Sequence, residues 1–250
     1  MNPPNRVVPH EPAARAVTSP RPVLKVCGAT TFHDIDVLAE GGADLVGLWH
    51  GIPGGPADLP ADRVVTLAGA ARSTGRLRPV LVTFLRDVAV LRDVVARSGI
   101  RWLQLHAFQP PAVVRALRAA LPSEVAIVKV VHVRDGECLE RRLLGAYERA
   151  GTDLFLIDAV TEDGRIGSTG RRLREADVLD LADQTDRPFL LAGGLRADSR
   201  DEFRSLVEHP RFFGIDVDTA ARDRDGVFRP HLVRGIAQGW RTGRRPEEVM

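Results

Sequence analysis

The chain has 250 residues, 44% of them hydrophobic and 27% charged, which is enough for one large core or two small ones and too apolar for a disordered protein. Thirty-five basic against 33 acidic residues leave a net charge of +2, and only 5% of residues are aromatic, so neither electrostatics nor base stacking argues for a nucleic-acid partner. Two cysteines, Cys27 and Cys138, make neither a disulfide framework nor a four-ligand zinc site, and no apolar run approaches the roughly 20 residues of a membrane span; the expectation is a soluble, cytoplasmic protein without a metal.

Residues 1–20, MNPPNRVVPHEPAARAVTSP, lack an apolar signal-type segment and read as a Pro-rich flexible arm. A regular alternation follows. Apolar or β-branched runs suited to buried parallel strands stand at 23–26, 44–49, 78–84, 101–106, 125–131, 153–158, 188–193 and 212–217. Helical periods lie between them at 32–42, 59–73, 88–99, 111–121, 137–151, 175–184, 199–208 and 229–240; the first ends on a glycine pair, a normal helix stop. Eight strand–helix units in strict order predict an α/β protein with a single (β/α)8 TIM barrel over residues 21–240, followed by a tail over 241–250. A doubly wound open sheet is the alternative, but no G-x-G-x-x-G follows the first strand.

In a barrel the chemistry collects at the C-terminal strand ends. The polar residues expected there are Lys25 and Cys27, His50, Gln104 and His106, Lys129 and His132, Asp158, Gly193 and Gly194, and Asp216 with Asp218. The loop DGRIGSTGRR (163–172) is glycine-rich and leads into a helix, so its backbone N–H groups, with those after strands seven and eight, form a candidate phosphate cradle. Each residue also has a plainer reading: the glycines as turn residues, Cys27 as a small core residue, the aspartates as loop caps. Lys25 is two residues from Cys27 and shares its face of the strand. It is either a cation that favours the thiolate or a structural partner of an acid on a neighbouring strand. Lys25 and Lys129 are the only lysines in the chain, and both fall in predicted strands.

The segments KVCGAT (25–30), GADLVGL (42–48), LQLH (103–106), FLIDA (155–159), GSTG (167–170), LLAGGL (190–195) and FGIDV (213–217) occur in one order at barrel spacing. Together, over roughly 23–238, they resemble the phosphoribosylanthranilate isomerase family of tryptophan biosynthesis. The resemblance implies a cofactor-free Amadori aldose–ketose isomerisation of a small phosphosugar substrate by a monomer or homodimer. It implies that Cys27 is the general base at C2′ and Asp158 the general acid at the furanose oxygen. It further implies that Lys25, His50, Gln104, His106 and Asp216 contact substrate, while Gly167, Thr169, Gly170, Gly193, Gly194, Thr219 and Ala220 hold the phosphate. A free thiol titrates near pH 8.5 and a free Asp near 3.9, so catalysis near neutrality requires the thiol to come down, helped by Lys25, and the carboxyl to rise through burial.

Four departures from the family stand out. The family's Ser-Pro-Arg after strand two, whose arginine grips the anthranilate carboxylate, is replaced by HGIPGGPADLPADR, with Gly55, Pro56 or Ala57 at the arginine's place. The lost partner is worth on the order of 2–3 kcal/mol; Arg63, His50 or the Arg171, Arg172 and Arg174 cluster could substitute. The Ser-Ser-Gly after strand eight is Asp218-Thr219-Ala220, and a carboxylate there would repel a phosphate unless it points away. The family's GGTG begins Gly167-Ser168, and its QLHG is QLHA. The readings that remain are a divergent isomerase, a paralogue acting on another substrate in specialised metabolism, and a non-catalytic ligand-binding barrel.

Overall fold

A computed structural model describes Ser19 and residues 21–160 and 173–242. The expected N-terminal arm (Ser19 apart), most of the expected tail and nearly all of the glycine-rich loop, with Gly167, Thr169 and Gly170, lie outside the described residues. Eight parallel strands close a barrel: β1 (Val23–Cys27), β2 (Leu45–Trp49), β3 (Arg78–Thr83), β4 (Trp102–Leu105), β5 (Ala126–Arg134), β6 (Leu154–Ala159), β7 (Phe189–Leu191) and β8 (Phe212–Val217). Each pairs with the next in sequence, and β8 returns to β1. The outer layer is α1 (Phe32–Gly41), α2 (Ala61–Ser73), α3 (Val88–Ser98), α4 (Pro111–Ala120), α5 (Leu144–Ala150), α6 (Glu175–Ala182), α7 (Arg204–Val207) and α8 (Pro230–Thr242). Among the described residues no helix is long and apolar enough to cross a membrane.

Local chemistry sets the boundaries. Thr31 and Asp34 form a reciprocal capping box at the start of α1, and the left-handed Gly42 (φ 86°) ends it. Alternation along each strand then divides the apolar residues between two cores. Leu24, Val26, Val46, Leu48, Ile127 and Val131 face the helices, whereas Val23, Leu45, Val80, Val82, Val128 and Leu156 fill the barrel.

Two expected helices are shorter than their sequence periods. The stretch 137–151 begins with a two-residue strand, Glu137–Cys138, that folds back antiparallel on the end of β5; a 3-10 turn follows, and α5 starts only at Leu144. The cause is Asp135-Gly136, both with positive φ (51° and 84°), the two-residue hairpin turn that Asp-Gly favours. It carries β5 three residues beyond its expected end at 131. The stretch 199–208 is likewise a 3-10 segment, Ser199–Phe203, running into the single turn of α7.

Candidate active site

Lys25 and Cys27 stand on the inward face of β1, and Asp216 lies beside Lys25 on β8 in direct register. Strict alternation would not have turned Asp216 inward together with Phe213. An irregularity of β8 against β7 does so: Phe189 pairs with Phe212 and Leu190 with Gly214, which skips Phe213. Gly214 passes so near β1 that a methyl group there would lie 2.0 Å from the Val23 carbonyl oxygen. Downstream of this step Ile215 and Val217 face the helices and Asp216 the barrel.

The Lys25 ammonium donates to Cys27 Sγ at 2.8 Å and to Asp216 Oδ2 at 2.7 Å, all three residues being buried. Burial opposes the lysine's charge, but Asp216 and the thiol outweigh it, and its pKa rises above the ordinary lysine value. The expectation that Lys25 would bring the thiol down is not met. Burial, reinforced by the Asp216 carboxylate, pushes Cys27 up to about 12; Lys25 pulls the other way and loses. Burial also raises the Asp216 carboxyl, against the pull of Lys25, with a smaller push from Asp158. Of the two sequence readings of Lys25, the partner of an acid on a neighbouring strand is the one its geometry fits.

Across the barrel, Asp158 ends β6 on its inward face, buried, with Oδ1 accepting from the Ala159 N–H at 2.8 Å and Oδ2 lying 3.5 Å from His106 Nε2. Gln104 Nε2 donates to His106 Nδ1 at 2.9 Å, so the neutral ring carries its proton on Nε2, toward Asp158. Burial holds His106 below the usual histidine range, against the pull of Asp158. Phe84 stacks on the same ring at 5.8 Å. Among the described residues, Asp216 Oδ1, Gln104 Oε1, His106 Nε2 and Trp49 Nε1 are buried at the mouth without a hydrogen-bond partner.

The other expected contacts fall differently. His50 is half-buried, and its Nδ1 binds the Leu59 carbonyl at 2.7 Å, a brace for the loop after β2. Gly193 and Gly194 follow β7 with left-handed φ (95° and 61°), and Thr219 and Ala220 form a 3-10 turn after β8. Asp218 leans toward β1: its Oδ1 accepts from Arg222 Nε at 2.7 Å and lies 3.6 Å from a methyl group placed on Gly28. Lys129 points out of the barrel into the helix layer, where its ammonium donates to the Ala107 carbonyl at 2.9 Å; burial, partly offset by Glu140, lowers it to about 8.

Two side chains at the mouth escaped the sequence reading. Arg222 stacks on Phe228 at 3.6 Å and donates to the Gly28 carbonyl at 2.8 Å, directly beside the catalytic-base candidate. Ala57, one of the three residues that stand where the family's arginine is expected, is buried, and its Cβ lies 3.6 Å from the same Gly28 methyl position that Arg222 approaches to 2.9 Å. Arg63 instead lies over Phe32 and donates to the Thr30 carbonyl. The other is Glu140, buried against His132. An Asp-Gly hairpin signal at 135–136 could have placed Glu140 near β5; nothing in the sequence marks Arg222.

The family model described as N-(5'phosphoribosyl)anthranilate (PRA) isomerase matches residues 24–238. An N-(5'-phosphoribosyl)anthranilate isomerase of Afipia carboxidovorans is 31% identical, over 88% of this chain and 89% of the relative, and one of Haloferax volcanii is 31% identical over 88% and 94%. The structure of the phosphoribosyl anthranilate isomerase of Thermococcus kodakaraensis superposes with a TM-score of 0.68 at 23% identity, covering 89% of this chain and all of that one.

Proposed function

We propose that this chain, which belongs to the N-(5'-phosphoribosyl)anthranilate isomerase family, isomerises N-(5'-phosphoribosyl)anthranilate to the corresponding 1-amino-1-deoxyribulose phosphate, a step of tryptophan biosynthesis. The observation that carries this reading is the buried Cys27–Lys25–Asp216 chain at one side of the mouth, with Asp158 and His106 at the other.

In this reading Asp158 gives a proton to the furanose oxygen. The C1′–O bond breaks, and the anthranilate nitrogen's lone pair forms the C1′=N iminium. The Cys27 thiolate takes the C2′ proton, and the released pair forms the C1′=C2′ enolamine. A proton then returns to C1′ while the C2′ hydroxyl releases one, leaving the ketone and a secondary amine with both groups as they began. In the resting site the thiol keeps its proton. The neighbouring Asp216, itself raised, is the group placed to accept it through Lys25, which leaves thiolate against ammonium.

The substrate also carries a carboxylate, and Arg222 is the guanidinium we assign to it. Its three bonds, to Asp218, Gly226 and Gly28, leave one N–H on each terminal nitrogen. Gly193, Gly194, Thr219 and Ala220, with Gly167, Thr169 and Gly170, are assigned to the phosphate; Asp218 does not oppose this, because it is neutralised by Arg222 on the β1 side.

The test is complementation of a tryptophan auxotroph lacking this isomerase, together with the loss of phosphoribosylanthranilate fluorescence in vitro. Cys27→Ala and Asp158→Asn should each lower kcat by at least about 10². Absent turnover by the wild type would favour the paralogue reading. Turnover unaffected by both substitutions would refute the acid–base assignment.

A further inference from the structure

We propose that Glu140, carried by the hairpin after β5, is a positioning residue that aims the His106 imidazole at Asp158 through His132. The proposal rests on the reading of Asp158 as the acid.

His132 stands on β5 in direct register with Asp158 on β6. Glu140 grips it twice: Oε2 accepts from the His132 backbone N–H at 2.9 Å, and Oε1 accepts from Nδ1 at 2.7 Å. The hairpin locks this grip, since the Leu139 N–H donates to the His132 carbonyl at 2.9 Å. The other ring nitrogen, Nε2, lies 3.1 Å from the His106 carbonyl oxygen. Both ring nitrogens thus face oxygen atoms, the Glu140 carboxylate on one side and the His106 carbonyl on the other. His132 is therefore a strut between the Glu140 carboxylate and the backbone of the residue whose Nε2 reaches Asp158.

Glu140 is a buried carboxyl group, which requires polar partners. Its neighbours are the His132 ring, bound through Nδ1, and the Lys129 ammonium at 3.9 Å. A core serving packing alone would gain nothing from this cluster, because an apolar trio of the same shape is as stable or more so. The cluster meets the active site at His106, whose ring lies edge-on to the His132 ring at 6.1 Å and whose carbonyl faces Nε2; a carbonyl shift of a fraction of an ångström redirects the ring between Gln104 and Asp158. Small displacements of positioned groups have large kinetic effects.

The experiment uses the full-length protein and the variants Glu140→Gln, His132→Gln and their combination. The expected result is a kcat for phosphoribosylanthranilate lowered about tenfold in each single variant with KM within about twofold, the pattern of a group acting on the chemical step. The double variant should be no worse than either single one, because both break the same chain. Glu140→Asp, which keeps the carboxylate, should recover part of the loss. Independently of activity, proton NMR of the wild type should show a far-downfield ring N–H from His132 against a carboxylate, lost in Glu140→Gln, with the His106 ring resonances shifted in the same variant. Unchanged kcat, or losses that vanish once corrected for the folded fraction, would overturn the proposal. Additive losses in the double variant would overturn it as well. Should the wild type not consume this substrate, the functional reading fails by itself. Unmoved His106 resonances in Glu140→Gln would then reject the strut, and shifted ones would support it.

Discussion

A single methyl group at Gly47 tests whether the position of the Cys27 thiol matters. Gly47 sits on β2 opposite Cys27 in the parallel register, and a methyl group there would lie 2.4 Å from Sγ, 3.2 Å from the Cys27 Cα and 3.3 Å from the Lys25 ammonium. Non-bonded atoms prefer about 3.5–4.0 Å, so in Gly47→Ala the thiol must retreat by about 1 Å, and the Cα, fixed in the sheet, cannot share the movement. Overpacking of this kind costs about 1–3 kcal/mol, which at about 2–4 °C per kcal/mol lowers Tm by roughly 2–12 °C. The kinetic effect should be larger, since a 1 Å misplacement of a reacting group can lower kcat by about 10². Gly69→Ala is the control: it lies within α2 with open space around it, and alanine in a helix interior gains about 0.5–1 kcal/mol over glycine. Thermal melts and steady-state kinetics on phosphoribosylanthranilate read both effects. Wild-type kcat in Gly47→Ala, in a barrel where Cys27→Ala is inactive, would refute the argument that catalysis depends on the Lys25–Cys27 geometry.

Lys25→Met should cost about 3–5 kcal/mol in urea unfolding, because it strands the buried Asp216, whereas Lys25→Met with Asp216→Leu should recover most of that loss; equal losses in the two would refute the pairing argument. Native Cys27 keeps its proton to about pH 12, while the unfolded thiol releases it at its ordinary value of about 8.5, so between those values the unfolded state binds fewer protons and stability falls as pH rises. The urea midpoint of the wild type should accordingly drop more steeply above pH 9 than that of Cys27→Ala, and parallel curves would contradict the raised thiol. Arg222→Leu should raise KM for phosphoribosylanthranilate by about tenfold or more with little change in kcat, as expected for loss of about 1.4 kcal/mol of ground-state binding.

The barrel was legible because each strand–helix unit carries its own signature. Buried parallel strands write themselves as apolar runs, and the helix periods between them are separated by turn residues. The face on which Lys25 and Cys27 lie follows from alternation along a five-residue strand. Asp216 does not follow in that way, since it points inward only because β8 skips Phe213 against β7, and a skipped pairing is a property of two strands rather than one. The helix expected at 137–151 failed for a related reason. Its first residues do repeat with helical spacing, but Asp135-Gly136 turns the chain back on β5 and buries Glu140 against a histidine that long-range pairing has put in place. Pairwise electrostatics were harder still. Proximity of an ammonium suggested a lowered thiol, and only the full burial of the triad, with a carboxylate on the lysine's other side, reverses the sign.

The two departures on either side of β1 are best understood as one change. A loop after β2 without arginine leaves Ala57 buried against Gly28, and an arginine built there would be driven toward the guanidinium of Arg222. Two guanidinium groups at that separation repel, so the space admits a single cation. In this chain that cation comes from the loop after β8. Placing it there requires something to hold it over the mouth, and the acid at 218 does so: Asp218 binds Nε, Gly226 and Gly28 bind the terminal nitrogens, and Phe228 supports the plane from below. The residue that looks least suited to a phosphate loop is thereby accounted for as the brace of the arginine we propose for the carboxylate. It follows that Ala57→Arg in the wild type should bring no gain in KM, whereas Ala57→Arg added to Arg222→Leu should restore part of what the latter loses. If Ala57→Arg improved KM with Arg222 in place, the two positions would be independent and the coupling between the loops would be wrong.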